Sequence, residues 1–261
     1  MSKGIDEFDN SWYEIDDQFN TIATNKQNRF VFSNAFSKTN VNKNAVVTFM
    51  GDSMLDCKAY TGTNKGTVDY LIEQIPANYR NDYKKRVNDI SVDGFTIPDC
   101  IDVVNNVYGK AVVISAGGND LLAKMNLLNV SNDTNITMGI MRAEINKLSN
   151  AYETLLHQLS KSDRKFLLIT PYEGNLAYNP QRFHNVDDIA LSVLSMWNDR
   201  LYRLANEHNN RNNRKGQEYY VLDTRTFMTP NCFYNEIEPN DIGAKRIAKN
   251  INKWLYNNQV W

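Results

Sequence analysis

Four short stretches hold residues able to do chemistry: "MGDSMLD" with Asp52 and Ser53, "SVDGFT" with Gly94, "AGGNDLL" with Asn119 and Asp120, and "NEIEPNDIG" with Asn235 and Glu238. A serine hydroxyl becomes a useful nucleophile when a neighbouring base takes its proton. Glycine lets backbone approach a ligand closely, and an asparagine amide donates a hydrogen bond without carrying charge. A carboxylate can take a proton, although an unperturbed glutamate pKa of about 4.3 suits it poorly to that work near neutral pH. Each stretch also has an ordinary structural use. Glycines after strands make turns, Asn119 and Asp120 suit a helix N-cap, and Glu238 sits near the start of a helix, where the dipole favours negative charge.

Chemistry requires elements that bring these stretches together. Five runs rich in β-branched or aromatic residues read as strands: "AVVTFM" (45–50), "VNDISV" (87–92), "AVVISA" (111–116), "KFLLIT" (165–170) and "YYVLDT" (219–224). Their near-continuous apolar character marks strands covered on both faces. Between and after them lie amphipathic helical segments: "GTVDYLIEQI", "IPDCIDVVNNVYG", "MRAEINKLSNAYETLLHQLS", "VDDIALSVLSMWNDRLYRLANEHN" and "DIGAKRIAKNINKWLYNN". In the fourth, Ile189, Val193, Met196, Trp197, Leu201 and Leu204 recur at helical spacing and read as core. Strands alternating with helices predict a three-layer α/β sandwich on a five-stranded parallel sheet. Ligands bind such sheets beyond the C-terminal ends of the strands, and "MGDSMLD", "SVDGFT" and "AGGNDLL" follow the first, second and third strands. Residues 1–44 do not fit the alternation, apart from an extra edge strand in "NRFVFSNAF". The expected organisation is an N-terminal extension, 1–44, and one domain, 45–261.

Taken together and in this order, the stretches resemble the SGNH (GDSL-type) hydrolase family from about Val46 to Ala248. "GDS" after a first strand joined to "GGND" after a third is the specific part. The resemblance implies a flavodoxin-like sandwich that hydrolyses esters, with Ser53 as nucleophile. It implies an oxyanion hole made by the backbone N–H groups of Ser53 and Gly94 and by the Asn119 amide, with Asp52 in an orienting role. Neutral donors of this kind are each worth roughly 2.7–4 kcal/mol to a tetrahedral intermediate.

The family's last motif is Asp-x-x-His, usually followed by proline and a glycine that leads into the final helix. Pro239 and Gly243 are in place, but Asn235 stands at the aspartate position and Glu238 at the histidine position. Three explanations are open. Glu238 is itself the base, with its pKa raised by burial by about two units and with neutral Asn235 as its orienter. Alternatively His184, in the loop after the fourth strand, takes the role, whereas His157 and His208 fall within or near the ends of helices. In the third explanation catalysis is lost, and the pocket binds an acyl or glycan group or a protein partner.

The rest of the sequence narrows the field. Among its 261 residues, 42% are hydrophobic and 23% charged, and the net charge is −1, which leaves no electrostatic footprint for nucleic acid or an anionic membrane. No apolar run approaches the roughly 18 residues of a membrane span. The polar, acidic N-terminus is no Sec signal peptide, so the expected location is the cytoplasm, or outside the cell by a route without that signal. Cys57, Cys100 and Cys232 form no CxxC pair and suit a reducing compartment. "TGTNKGT" (61–67) lacks the ending of a phosphate loop, and the sequons of "NVSNDTNIT" (129–137) read as a polar loop before a helix. No cofactor and no metal are expected. The expected partner is a small ester or acylated sugar.

Overall fold

A run of apolar residues without alternation must be covered on both faces, and each of the five runs contributes a strand in the computed structural model of the protein. The structure describes residues 41–125, 134–160, 163–175, 187–212 and 216–261, and Val41–Trp261 forms one compact unit. The edge strand expected in "NRFVFSNAF" lies outside the described residues. In chain order the elements are β1 (Val47–Gly51), α1 (Thr67–Glu73), α2 (Arg80–Lys84), β2 (Val87–Asp89), α3 (Ile97–Asp102), β3 (Ala111–Ser115), α4 (Gly118–Met125), α5 (Thr134–Leu159), β4 (Lys165–Ile169), α6 (Asp187–Asn212), β5 (Glu218–Leu222) and α7 (Asp241–Asn257).

The five strands run parallel in the order β2-β1-β3-β4-β5. Gly51 pairs with Ser115 in register, so β1 and β3 end side by side. Alternation along the central strands sends Val47, Phe49, Val113, Leu167 and Ile169 to one face, where they pack with Leu71 of α1 and Ile247, Ile251 and Leu255 of α7. Thr48, Met50, Val112, Ile114, Phe166 and Leu168 point the other way and are equally buried. That face is covered by α5 and α6, whose Tyr152 and Trp197 meet edge-on at 5.8 Å. The predicted stripe of α6 is core at Val193, Trp197, Leu201 and Leu204, all fully buried. Ile189 lies where side chains are not described.

Two expectations need correcting. β2 ends at Asp89 rather than at residue 92. As an edge element it keeps company with β1 through single backbone bonds, Ile90 N–H to Phe49 (2.8 Å) and Val92 N–H to Gly51 (2.9 Å). The stretch 129–137 is no loop from Thr134 onward, where α5 has already begun; its earlier residues are outside the described ones.

The false phosphate loop has a structural use. Gly62 N–H and Thr63 Oγ1 donate to the Asp241 carboxylate at 2.8 and 2.7 Å, strapping this segment to the first turn of α7. The three cysteines are buried and unpaired. No helix among the described residues is long and apolar enough to cross a membrane.

Candidate active site

Gly51 ends β1 with φ +137°, and a Cβ there would lie 1.8 Å from the Ser115 carbonyl oxygen. Only glycine allows the two strands to close so tightly before the chain turns outward. The next residue, Asp52, is buried. Its N–H donates to the Ser115 carbonyl at 3.0 Å. Its Oδ1 accepts from Met54 N–H at 3.1 Å and from the Ser115 hydroxyl. Burial pushes this carboxyl up to about 6, against both of those hydrogen bonds. Asp52 therefore braces the turn from both sides, and half-buried Ser53 is presented at its top.

The second and third loops are tied to each other. Gly94 adopts φ +83° in an exposed turn, with no atom within 4 Å of where a Cβ would stand. Asn119, second residue of α4, donates its side-chain amide to the Phe95 carbonyl at 3.0 Å. Asp120 accepts from Ile97 N–H at 3.0 Å and so caps α3. An amide has two N–H bonds, so this tie to Phe95 leaves Asn119 one donor.

The fourth loop is a tight excursion between β5 and α7. Phe233 and Pro239 form an isolated antiparallel bridge, and Tyr234 N–H donates to the Glu238 carbonyl at 2.7 Å. Asn235 Oδ1 accepts from the backbone N–H groups of Ile237 and Glu238 at 3.0 and 2.8 Å. The expected orienter thus acts on the backbone of Glu238 and not on its carboxylate. An Asn donor to the carboxylate would lower its basicity, and Asn235 instead turns its side-chain oxygen to backbone N–H groups. Asn240 then caps α7 through Ile242 and Gly243 N–H.

The Glu238 side chain is turned inward to Ser53. Its Oε2 is buried without a hydrogen-bond partner, so it is not the solvated helix-start residue that its position also allows. Desolvation pushes its carboxyl from 4.5 up to about 7; the Ser53 hydroxyl pulls the other way, and the charges of Asp93 and Asp52 add to the rise. The two side chains are neighbours without a well-aligned hydrogen bond between them. His184 lies outside the described residues. His208 is buried beside the ring of Tyr219 at 4.8 Å, near the start of β5 and so at the far end of the sheet. His157 is exposed in the last turn of α5.

Beside Ser53 opens a cavity of about 100 Å³, lined by Asn119, Leu121, Leu122, Tyr172, Leu194 and Ile237 among others. Its apolar walls come from α4, α6 and the loops after β4 and β5, and spacing alone identifies none of them as lining. Two further residues escaped the sequence reading. Asp93 directly precedes Gly94, and Tyr60 donates to it at 2.7 Å. The only signal for Asp93 was adjacency to a singled-out glycine.

The five parallel strands form an α/β sandwich, and the loops that carry Ser53 and Asn119 leave the C-terminal ends of the neighbouring strands β1 and β3. No protein-family model and no curated protein matches the sequence. Solved structures do match. A catalytic mutant of an acetylxylan esterase from Geobacillus stearothermophilus is 15% identical, with 82% of this chain and 95% of that one covered and a TM-score of 0.54. A lipase from a goat rumen metagenome is 16% identical over 80% of this chain and 96% of that one, TM-score 0.54. An extracellular lipase from Streptomyces rimosus is 14% identical over 79% and 99%, again with a TM-score of 0.54. At such identities the likeness is one of fold.

Proposed function

We propose that the chain is a serine ester hydrolase in which Ser53 is the nucleophile and Glu238 the general base. The observation that carries this is the Ser53–Glu238 neighbourhood at the edge of an apolar cavity, with Glu238 Oε2 buried and unpartnered. Glu238 takes the hydroxyl proton as Ser53 Oγ bonds to the acyl carbon. The resulting oxyanion is held by the N–H groups of Ser53 and Gly94 and by the spare amide hydrogen of Asn119. Collapse of the intermediate expels the alcohol, which leaves with the proton from Glu238. Water then gives a proton to Glu238, attacks the acyl-enzyme and releases the carboxylic acid, and Ser53 regains its hydrogen.

A pKa near 7 is what a base working at neutral pH needs, and the burial of Glu238 supplies it without an imidazole. The acyl group of a small ester, a lipid or an O-acylated sugar would occupy the cavity beside Leu121, Leu122 and Leu194. An acetylxylan esterase and lipases among the similar folds support that range of substrates. The test is turnover of 4-nitrophenyl acetate and butyrate by the wild type, Ser53→Ala, Glu238→Gln and His184→Ala. Loss of turnover in the first two variants, with His184→Ala active, is expected. Loss in His184→Ala with Glu238→Gln unaffected would move the base to His184. Wild type no faster than Ser53→Ala on esters and acetylated sugars would leave a site that binds without turnover.

A further inference from the structure

Wherever the Asp-x-x-His motif supplies a base, it also supplies a negative charge beside it. Here that position is Asn235, whose oxygen is occupied by backbone N–H groups. The charge comes from another loop. Asp93, between β2 and Gly94, is the charged group that acts most strongly on Glu238, ahead of Asp52. Its place is built in. Tyr60 Oη donates to Asp93 Oδ2 at 2.7 Å, and Asp93 N–H reaches Asp56 Oδ2 at 3.4 Å. The Tyr60 ring in turn stands 6.1 Å from that of Tyr234, whose N–H holds the Glu238 carbonyl. A chain of contacts therefore links the Asp93 carboxylate to the backbone that carries Glu238.

We propose that Asp93 is a positioning residue of this site, its carboxylate providing beside Glu238 the negative charge that keeps Glu238 ready to take a proton. The charged groups facing Glu238 are both negative, Asp52 after β1 and Asp93 after β2, and its other neighbours, Ser53 after β1, Tyr60 ahead of α1 and Tyr172 after β4, are neutral. No lysine, arginine or histidine among the described residues is one of the charges acting on it. A carboxylate near Glu238 disfavours the ionised form of Glu238 and so makes it a better proton acceptor. The pair does for a glutamate what the Asp–His pair does for an imidazole, by repulsion instead of attraction.

This inference rests on Glu238 acting as the base, and the test separates the two claims. The Glu238 carboxyl is titrated by NMR in carbon-13 glutamate-labelled wild type, Asp93→Asn and Asp93→Glu, and kcat/KM for 4-nitrophenyl acetate is followed across the same pH range. Asp93→Asn keeps the oxygen that accepts from Tyr60, so a merely structural role leaves the titration unmoved. The expected result is a midpoint lower by about one pH unit in Asp93→Asn, restored in Asp93→Glu, with the rising limb of kcat/KM moving alongside. An unchanged midpoint overturns the proposal whatever the activity. A shifted midpoint in a protein without Ser53-dependent turnover upholds the charge pairing and sinks the hydrolase assignment. Should Asp93→Asn fold poorly, Asp93→Ser removes the charge with less bulk and is read in the same way.

Discussion

Asn119 donates its amide to the carbonyl of Phe95 at 3.0 Å, and this bond joins the loop after β3 to the loop that carries Gly94. The proposed oxyanion donors are thereby held at a fixed separation before any substrate arrives. Preorganisation of that kind matters because donors that need not reorient stabilise developing charge most. Asn119→Ala removes one donor and the tie together. Its kcat on 4-nitrophenyl acetate is expected to fall by about 10²–10³-fold. Unchanged kcat would take Asn119 out of the oxyanion hole.

The proposed role of Glu238 sets the pH dependence expected of turnover. A base must be deprotonated, so kcat/KM is expected to climb with pH through a midpoint near its raised value of about 7 and to level off above it. An unburied glutamate would place that limb near 4.3. Rates measured from pH 4 to 9, with Glu238→Gln as reference, decide between the two. In Glu238→Gln the plateau is expected to be lower by about 10²–10⁴-fold.

Stability carries the same information with the opposite sign. The Glu238 carboxyl titrates at 4.5 ordinarily and about 7 in the fold, so between those values the folded chain holds a proton that the unfolded chain has released. Stability therefore falls as pH rises through that window. Glu238→Gln abolishes the loss. Its melting temperature is expected to match the wild type at pH 4 and to exceed it by several degrees at pH 8. Calorimetry at both pH values is the check, and a destabilised Gln variant at pH 8 would contradict the buried, unpartnered placement of Oε2.

The cavity beside Ser53 gives a size prediction. Leu194 is one of its walls, and phenylalanine there would fill space that an acyl tail needs. For Leu194→Phe the ratio of kcat/KM on butyrate to that on acetate is expected to drop about tenfold or more, since one methylene is worth about 1–3 kcal/mol in an apolar pocket. A ratio that stays constant would place the acyl group elsewhere.

Gly51 offers a test of the scaffold. A Cβ at this position would stand 1.8 Å from the Ser115 carbonyl, on a backbone with φ +137°. Gly51→Ala is expected to cost about 4 kcal/mol or more, at the severe end for single substitutions. Chemical denaturation measures it directly, and a near-neutral change would mean that the β1–β3 junction is looser than the register indicates.

Much of this protein is legible in its sequence. The five strands and the α6 stripe follow from periodicity, because burial on one face or two leaves a mark in the residue pattern itself. The turn residues Gly51 and Gly94 and the loop order "GDS", "GGND", "NEIEP" follow for the same reason: local backbone geometry restricts residue type. The length of β2 did not follow, since an edge strand stops where its partner's bonding stops, and that depends on another segment. The surroundings of Glu238, the proposed base, are marked by no pattern in the sequence. Ordinary chemistry makes Glu238 an acid too strong to serve near neutral pH. Only the tertiary arrangement buries its carboxyl and turns it to Ser53, because desolvation is a property of neighbours brought from distant parts of the chain.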